Sequence, residues 1–121
     1  MKIVLLLMAL LGALFGWHDL PRRTAVSVPA ATFTVNSVND AVDLVAGDGI
    51  CDSSAQPNDQ CTLRAAIQET NALVGADTIM LPAGIYTLTI PGIAENLAAT
   101  GDLDIRDSLT LIGAGAAATV I

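Results

Sequence analysis

The sequence predicts a mainly β chain of solenoid type, with short strands set between tight turns and one short helix ahead of most of them. Three observations carry that expectation. Thr32–Asn36 and Tyr86–Ile90 alternate polar and apolar residues, and Asp77–Leu81 is a short strand-like stretch, each closed by Pro or Asn. Asp107-Ser108-Leu109-Thr110-Leu111 echoes, thirty residues on, the acid, hydroxyl, apolar, variable, leucine order of Asp77 to Leu81. Only Cys61 to Gly75 has helical periodicity. On pattern alone a fragment of a β-sandwich is the competing architecture.

The chain opens with Lys2 and an apolar run from Ile3 to Trp17. A spanning helix needs about twenty apolar residues, and this run is shorter, as in a signal-peptide core. Val28-Pro29-Ala30 offers small residues for cleavage, so residues 1–30 read as a removable leader. Arg22 and Arg23 follow the apolar run, which excludes a twin-arginine signal. An uncleaved anchor is the lesser alternative. Export to a secreted or cell-surface location is the expectation.

From residue 31 onward two basic residues stand against eleven acids, a formal charge of −9, where the whole chain carries −7. Such a surface repels phosphate backbones, and nucleic acid is excluded as a partner. Two of the four aromatics, Phe15 and Trp17, fall in the leader, leaving Phe33 and Tyr86. Two are too few for a sugar-binding platform. About ninety residues make one small domain, which is marginal without a staple.

Thr32 to Asn36 reads as a strand. Ser37 to Asp59 reads as a loop, with Asp40, Asp43, Asp48, Asp52 and Asp59 and no Lys or Arg. Nine residues separate Cys51 from Cys61, the wrong count for a paired CxxC zinc or redox site, and His18 lies in the leader. In an exported chain the two cysteines form a structural disulfide in preference to two free thiols. Thr62 is placed to cap the helix, with Leu63, Ala66, Ile67 and Val74 on its apolar face around Thr70. Arg64, Gln68 and Asn71 line another face, and Gly75 is the expected stop. A helix this short is marginal alone and needs an apolar surface, which the strands after it supply.

Asp77 to Leu81 and Tyr86 to Ile90 read as strands, and Leu103 and Ile105 alternate with Asp102 and Asp104. Residues 91–101 form a turn-rich insertion. Thr119 to Ile121 reads as a further strand with no polar cap, the pattern of an interrupted solenoid.

The segment CTLRAAIQETNAL, preceded by GDGICD and followed by GADTIMLPAGIYTLTI, resembles the CSLREA domain of exported bacterial proteins. The cysteine, leucine, arginine, alanine and isoleucine of that signature fall on Cys61, Leu63, Arg64, Ala65 and Ile67. Thr62 takes the place of its serine, and alanines at Ala65 and Ala66 leave its glutamate without a counterpart. The resemblance covers roughly residues 32 to 121. It implies the first coils of a right-handed parallel β-helix behind an N-terminal capping helix. Residues 1–30 are then the leader, 31–75 the cap, and 76–121 the first coils, incomplete as they stand.

Candidate chemistry is sparse. Asp40, Asp43, Asp48 and Asp52 invite a calcium ion, because hard cations take several carboxylate oxygens from one loop. The spacing is not that of an EF-hand, and the other reading is a solvated loop whose acids serve turns. Calcium aside, no cofactor is expected. Arg64 is expected to clamp the loop through Asp48, Asp52 or Asp59, its alternative being a carboxylate or sulfate site. Gly113 to Ala118 matches a dinucleotide fingerprint, but a strand follows it where that motif needs a helix, so it reads as a turn. No nucleophile elbow or histidine base is present after the leader, and Asp102 and Asp104 read as an outward pair, not glycosidase acids.

The functional expectation is a non-catalytic cap and folding segment of an exported bacterial β-helix protein, adhesin-like or in contact with polysaccharide at the cell surface. Its partners are downstream coils of the same chain, with no stable oligomer. The alternatives are the opening of a polysaccharide lyase or glycosidase with its active site beyond Ile121, and a small calcium-dependent binding module.

Overall fold

The computed structural model describes residues 29–53 and 60–121, so most of the expected leader, and Asp59, lie outside the described residues. The elements run β1 (Thr32–Thr34), α1 (Leu63–Ala72), β2 (Asp77–Leu81), β3 (Gly84–Ile85), β4 (Leu109–Gly113) and β5 (Thr119–Val120). They form a three-stranded sheet in the order β1-β2-β4 and a two-stranded sheet of β3 and β5. Every pairing is parallel. Among the described residues the chain is mainly β, with one short helix and no closed barrel.

Parallel neighbours need long crossover connections. The acid loop and α1 make the first crossover, from β1 to β2, and the turn-rich stretch after β3 makes the second, from β2 to β4. Phe33 pairs with Ile79 and Ile79 with Leu111 across the larger sheet. The thirty-residue echo finds its strand but not its register. Asp77 stands opposite Leu109, not Asp107. A slip of two leaves every side chain on its expected face, because strand side chains alternate with period two. Asp107 is spent before the strand begins, its Oδ1 accepting from Ser108 N at 2.7 Å.

The two inward positions of β1 and β2 that matter most are Phe33 and Ile79. With Val35, Leu81 and Tyr86 they build a buried cluster that α1 completes through Leu63, Ala66 and Ile67. The helix therefore lies on the strands as expected. Full burial of a side chain such as Ile79 contributes about 1.5–3 kcal/mol, and a ten-residue helix needs that support to persist.

The N-terminal start of α1 is as read: Thr62 accepts from Ala65 N through its hydroxyl at 3.1 Å. Its end comes earlier than expected. Leu73 is the cap, and its N–H bonds to Glu69 O. Val74 is 69 % exposed and has no part in the apolar face. Gly75, at φ 146°, belongs to the turn into β2.

Two expected strands are absent. Tyr86 to Ile90 is irregular, with the strand confined to Gly84–Ile85, because Thr89 N and Ile90 N donate to Asp40 Oδ2 instead of to a ladder. Leu103 to Ile105 is a loop held to α1 by Asn71, which donates to Asp104 O at 2.7 Å and accepts from Arg106 N at 2.8 Å.

Ile67→Ala is expected to lower unfolding free energy by about 2–5 kcal/mol in denaturant titration. Val74→Ala is expected to change it by less than about 0.5 kcal/mol.

Candidate functional site

The densest polar constellation is centred on Arg64, in the first turn of α1. Its side chain is fully buried, at 0 % exposure, and that of Asp40 is at 2 %. A guanidinium carries five N–H donors, and here each has an acceptor. Nε and one Nη donate to the two oxygens of Asp40 at 2.6 and 3.2 Å. The remaining bonds go to the carbonyls of Ala98 at 3.0 Å, Asp102 at 3.2 Å and Gly101 at 2.8 Å.

The turn that supplies those carbonyls is shaped for the purpose. Ala98 and Gly101 both have positive φ, 52° and 63°, which turns their carbonyls toward the cation. Gly92 lies so close to Thr100 that a Cβ there would sit 2.0 Å from Oγ1. Glu95 pins the same turn, accepting from Leu97 N at 2.6 Å and Thr100 N at 2.8 Å. Those backbone bonds hold its carboxyl below the ordinary value.

Arg64 is a clamp, as expected, but the partner is different. It holds Asp40, not Asp48 or Asp52, and Asp59 lies outside the described residues. Asp40 also gathers Thr89 N and Ile90 N, so one ion pair joins the acid loop, the helix and the two stretches after β3. Burial acts to raise the Asp40 carboxyl, but the Arg64 hydrogen bond and the Ile90 and Thr89 N–H groups outweigh it and hold it below its ordinary value. With all five donors used, Arg64 has none left for a sulfate or a free carboxylate.

A second carboxylate was not singled out from the sequence. Glu69 is 0 % exposed on α1, and its oxygens accept from Gly47 N at 2.6 Å and Gly49 N at 3.0 Å. Both glycines have positive φ, 96° and 84°, a conformation that side chains disfavour. The available signal was the Gly47-Asp48-Gly49 turn, whose N–H groups need an acceptor. Burial raises the Glu69 carboxyl; the two N–H groups oppose this, and the charges of Asp43 and Asp48 add to it.

Asp43 and Asp48 serve turns. Asp43 accepts from Val45 N at 2.9 Å and Asp52 N at 3.2 Å, and Asp48 accepts from Ile50 N at 2.8 Å. Burial raises Asp43, with Asp52 and Asp48 adding to it against its own backbone hydrogen bonds. Of the four residues considered for calcium, Asp40 is committed to Arg64, while Asp43 and Asp48 accept from turn N–H groups and Asp52 gives its backbone N–H to Asp43. Among the described residues no group of three or more His, Cys, Asp or Glu is placed to hold a metal ion.

Cys51 and Cys61 are disulfide-bonded, their Cα atoms 5.0 Å apart. Ser53 and Gln60 close the loop above the bond through Ser53 N to Gln60 O at 2.9 Å. Below it, Cys61 N donates to Asn36 Oδ1 at 2.9 Å, tying the staple to the end of β1. Asp104, half of the expected outward pair, turns back to accept from Ala98 N at 3.4 Å, while Asp102 lends only its carbonyl to Arg64.

No protein-family model, curated protein or solved structure matches the chain.

Arg64→Ala strands the Asp40 carboxylate and three carbonyls, and is expected to cost about 3–5 kcal/mol in denaturant titration. Asp43 and Glu69, raised in the fold, bind protons that the unfolded chain has released. Stability is therefore expected to fall as pH rises from their ordinary values, 3.8 and 4.5, through their raised ones. Asp40, lowered in the fold, acts oppositely: its contribution is lost as pH falls below 3.8 through its depressed value. Melting temperature measured across this range should peak in mild acid, and Glu69→Gln should flatten the decline on the neutral side.

Proposed function

We propose that this chain is a non-catalytic N-terminal cap for an exported parallel β-helix, closing one end of the coil stack and offering the other for growth. One observation carries the reading: the two ends of the sheet differ. On the β1 side the chain leads directly into the stapled loop and α1, whose Leu63, Ala66 and Ile67 share the buried cluster. On the β4 side the strand edge is unpaired among the described residues, and Leu111 and Ile112 are 40 % and 43 % exposed. Beside it Val120 of β5 is 48 % exposed, and a groove runs between Leu81, Leu111, Thr119 and Ile121. An open edge with apolar neighbours is a template for another strand, and in a coil stack that strand belongs to the next turn of the same chain.

The motif likeness at Cys61, Leu63, Arg64 and Ile67 supports the same reading, as does the use made of the polar groups. Arg64, Asp40 and Glu69 are each tied to backbone or to one another, which stiffens a cap and leaves little free for catalysis. Contact with polysaccharide or a cell surface then falls to later coils.

Joining a designed parallel β-coil after Ile121 tests this. The fusion is expected to melt as one unit above either part alone, and the β4 amides to gain protection from hydrogen exchange. Two separate transitions, with β4 unprotected, would overturn the cap.

A further inference from the structure

Asp77 opens β2 and is buried, at 1 % exposure. Its Oδ1 accepts from the backbone N of Ala31 at 2.7 Å. Its Oδ2 is also buried and has no hydrogen-bond partner, the one such side-chain atom among the described residues. A buried carboxylate oxygen without a donor is costly, and in a folded protein it calls for an explanation.

The neighbouring chain supplies one. Ala31 is fixed from its other side, because Thr78 N donates to Ala31 O at 2.9 Å and Thr32 pairs with Thr78. Its nitrogen is therefore held against Asp77 by the ladder itself. Immediately before it lies Val28-Pro29-Ala30, with small residues one and three positions ahead of the Ala30–Ala31 bond, and Pro29 and Ala30 are exposed. A peptide nitrogen has one hydrogen to give, and Oδ1 takes it. An N-terminal ammonium at the same place has three.

We propose that export processing at the Ala30–Ala31 bond creates a part-buried ion pair between the new Ala31 ammonium and Asp77. An export peptidase supplies the hydrolysis. One water is consumed: its hydroxyl adds to the Ala30 carbonyl carbon, and the Ala31 nitrogen keeps the electron pair of the broken bond. The nitrogen takes the water's remaining hydrogen, and the proton released by the new Ala30 carboxylic acid makes it an ammonium. Two added N–H donors then stand beside Asp77, where Oδ2 lacked one. The start of β1 is already laddered to the start of β2; the processed chain adds a charged tie at that point, and Asp77 is a positioning residue for the mature terminus. Gly75, at φ 146°, makes the turn that brings Asp77 beside Ala30 and Ala31, a backbone conformation that side chains disfavour.

The proposal rests on the export reading, and the composition gives it a clean test. Lys2 is the one lysine of the chain, so a chain beginning at Ala31 has a single primary amine. The full-length chain is expressed in an exporting bacterium, and the product is read by N-terminal sequencing and intact mass. It is then labelled with an amine-reactive ester, folded and in denaturant. The expected result is a chain starting at Ala31 whose amine reacts about tenfold more slowly when folded, since the reagent takes only the unprotonated amine. Asp77→Asn should restore the fast rate, and acetylating the amine before refolding should lower the melting temperature. Should Asp77→Asn not fold, the folded-against-denatured rate of the natural chain decides alone. A chain retained uncut in the cytoplasm overturns the export reading and the pair with it. A chain exported but cut elsewhere, or one whose folded amine reacts as fast as the denatured one, overturns the pair alone.

Discussion

Arg64 brings a permanent positive charge and five N–H groups into a place shielded from solvent. Nothing in a small β protein supplies five acceptors by default, so the surrounding chain is bent to supply them. The carboxylate of Asp40 is drawn from the acid loop, and three carbonyls come from the turn that follows β3. That demand accounts for features that otherwise look arbitrary: an alanine in the left-handed region at Ala98, a glycine at position 92 where a side chain has no room, and the lost ladder at Thr89 and Ile90. Buried ion pairs add little net stability over apolar packing, but breaking one is expensive. Here the pair selects one arrangement of three loops.

The helix is consequently less an amphipathic rod than a spine. Its apolar side meets Phe33, Ile79 and Leu81. Its polar side is not left to solvent. Gln68 accepts from Asp43 N at 2.7 Å, Glu69 receives the two glycine N–H groups, and Asn71 holds the stretch at Asp104 and Arg106. Loops that would otherwise be mobile are thus bonded, residue by residue, to one rigid element, and the disulfide closes the loop on the near side.

What could be read in advance was chemistry that is local in sequence. Thr62 caps because its hydroxyl reaches a nitrogen three residues on, and β2 forms where a short apolar run follows Asp77 and Thr78 and stops at a proline. The cysteines announced their bond through their number and setting. The misreadings share a cause. Arg64 was assigned to acids close in sequence to the staple, whereas Asp40 comes from the far arm of the loop, a choice made only once the crossover closes. The alternation from Tyr86 to Ile90 was real, but a carboxylate more than forty residues upstream took the N–H groups a ladder would have used. Glu69 escaped notice because its partners are backbone donors, which composition does not display. Val74 kept the helical phase although Leu73 had already left the helix.

The pairing of β1 with β2 also governs the order in which the molecule can assemble. Ala31 and Asp77 are 46 residues apart, and everything between them must be made before the first strand has a neighbour. At ribosomal speed that is roughly 2–9 s, far longer than a hairpin needs to close. Through that interval Phe33 and Val35 are apolar residues with no sheet to join. The earliest-made strand is thus a late arrival in its own fold, and the nascent chain passes through a stage in which a handling factor would find its greasy segment bare.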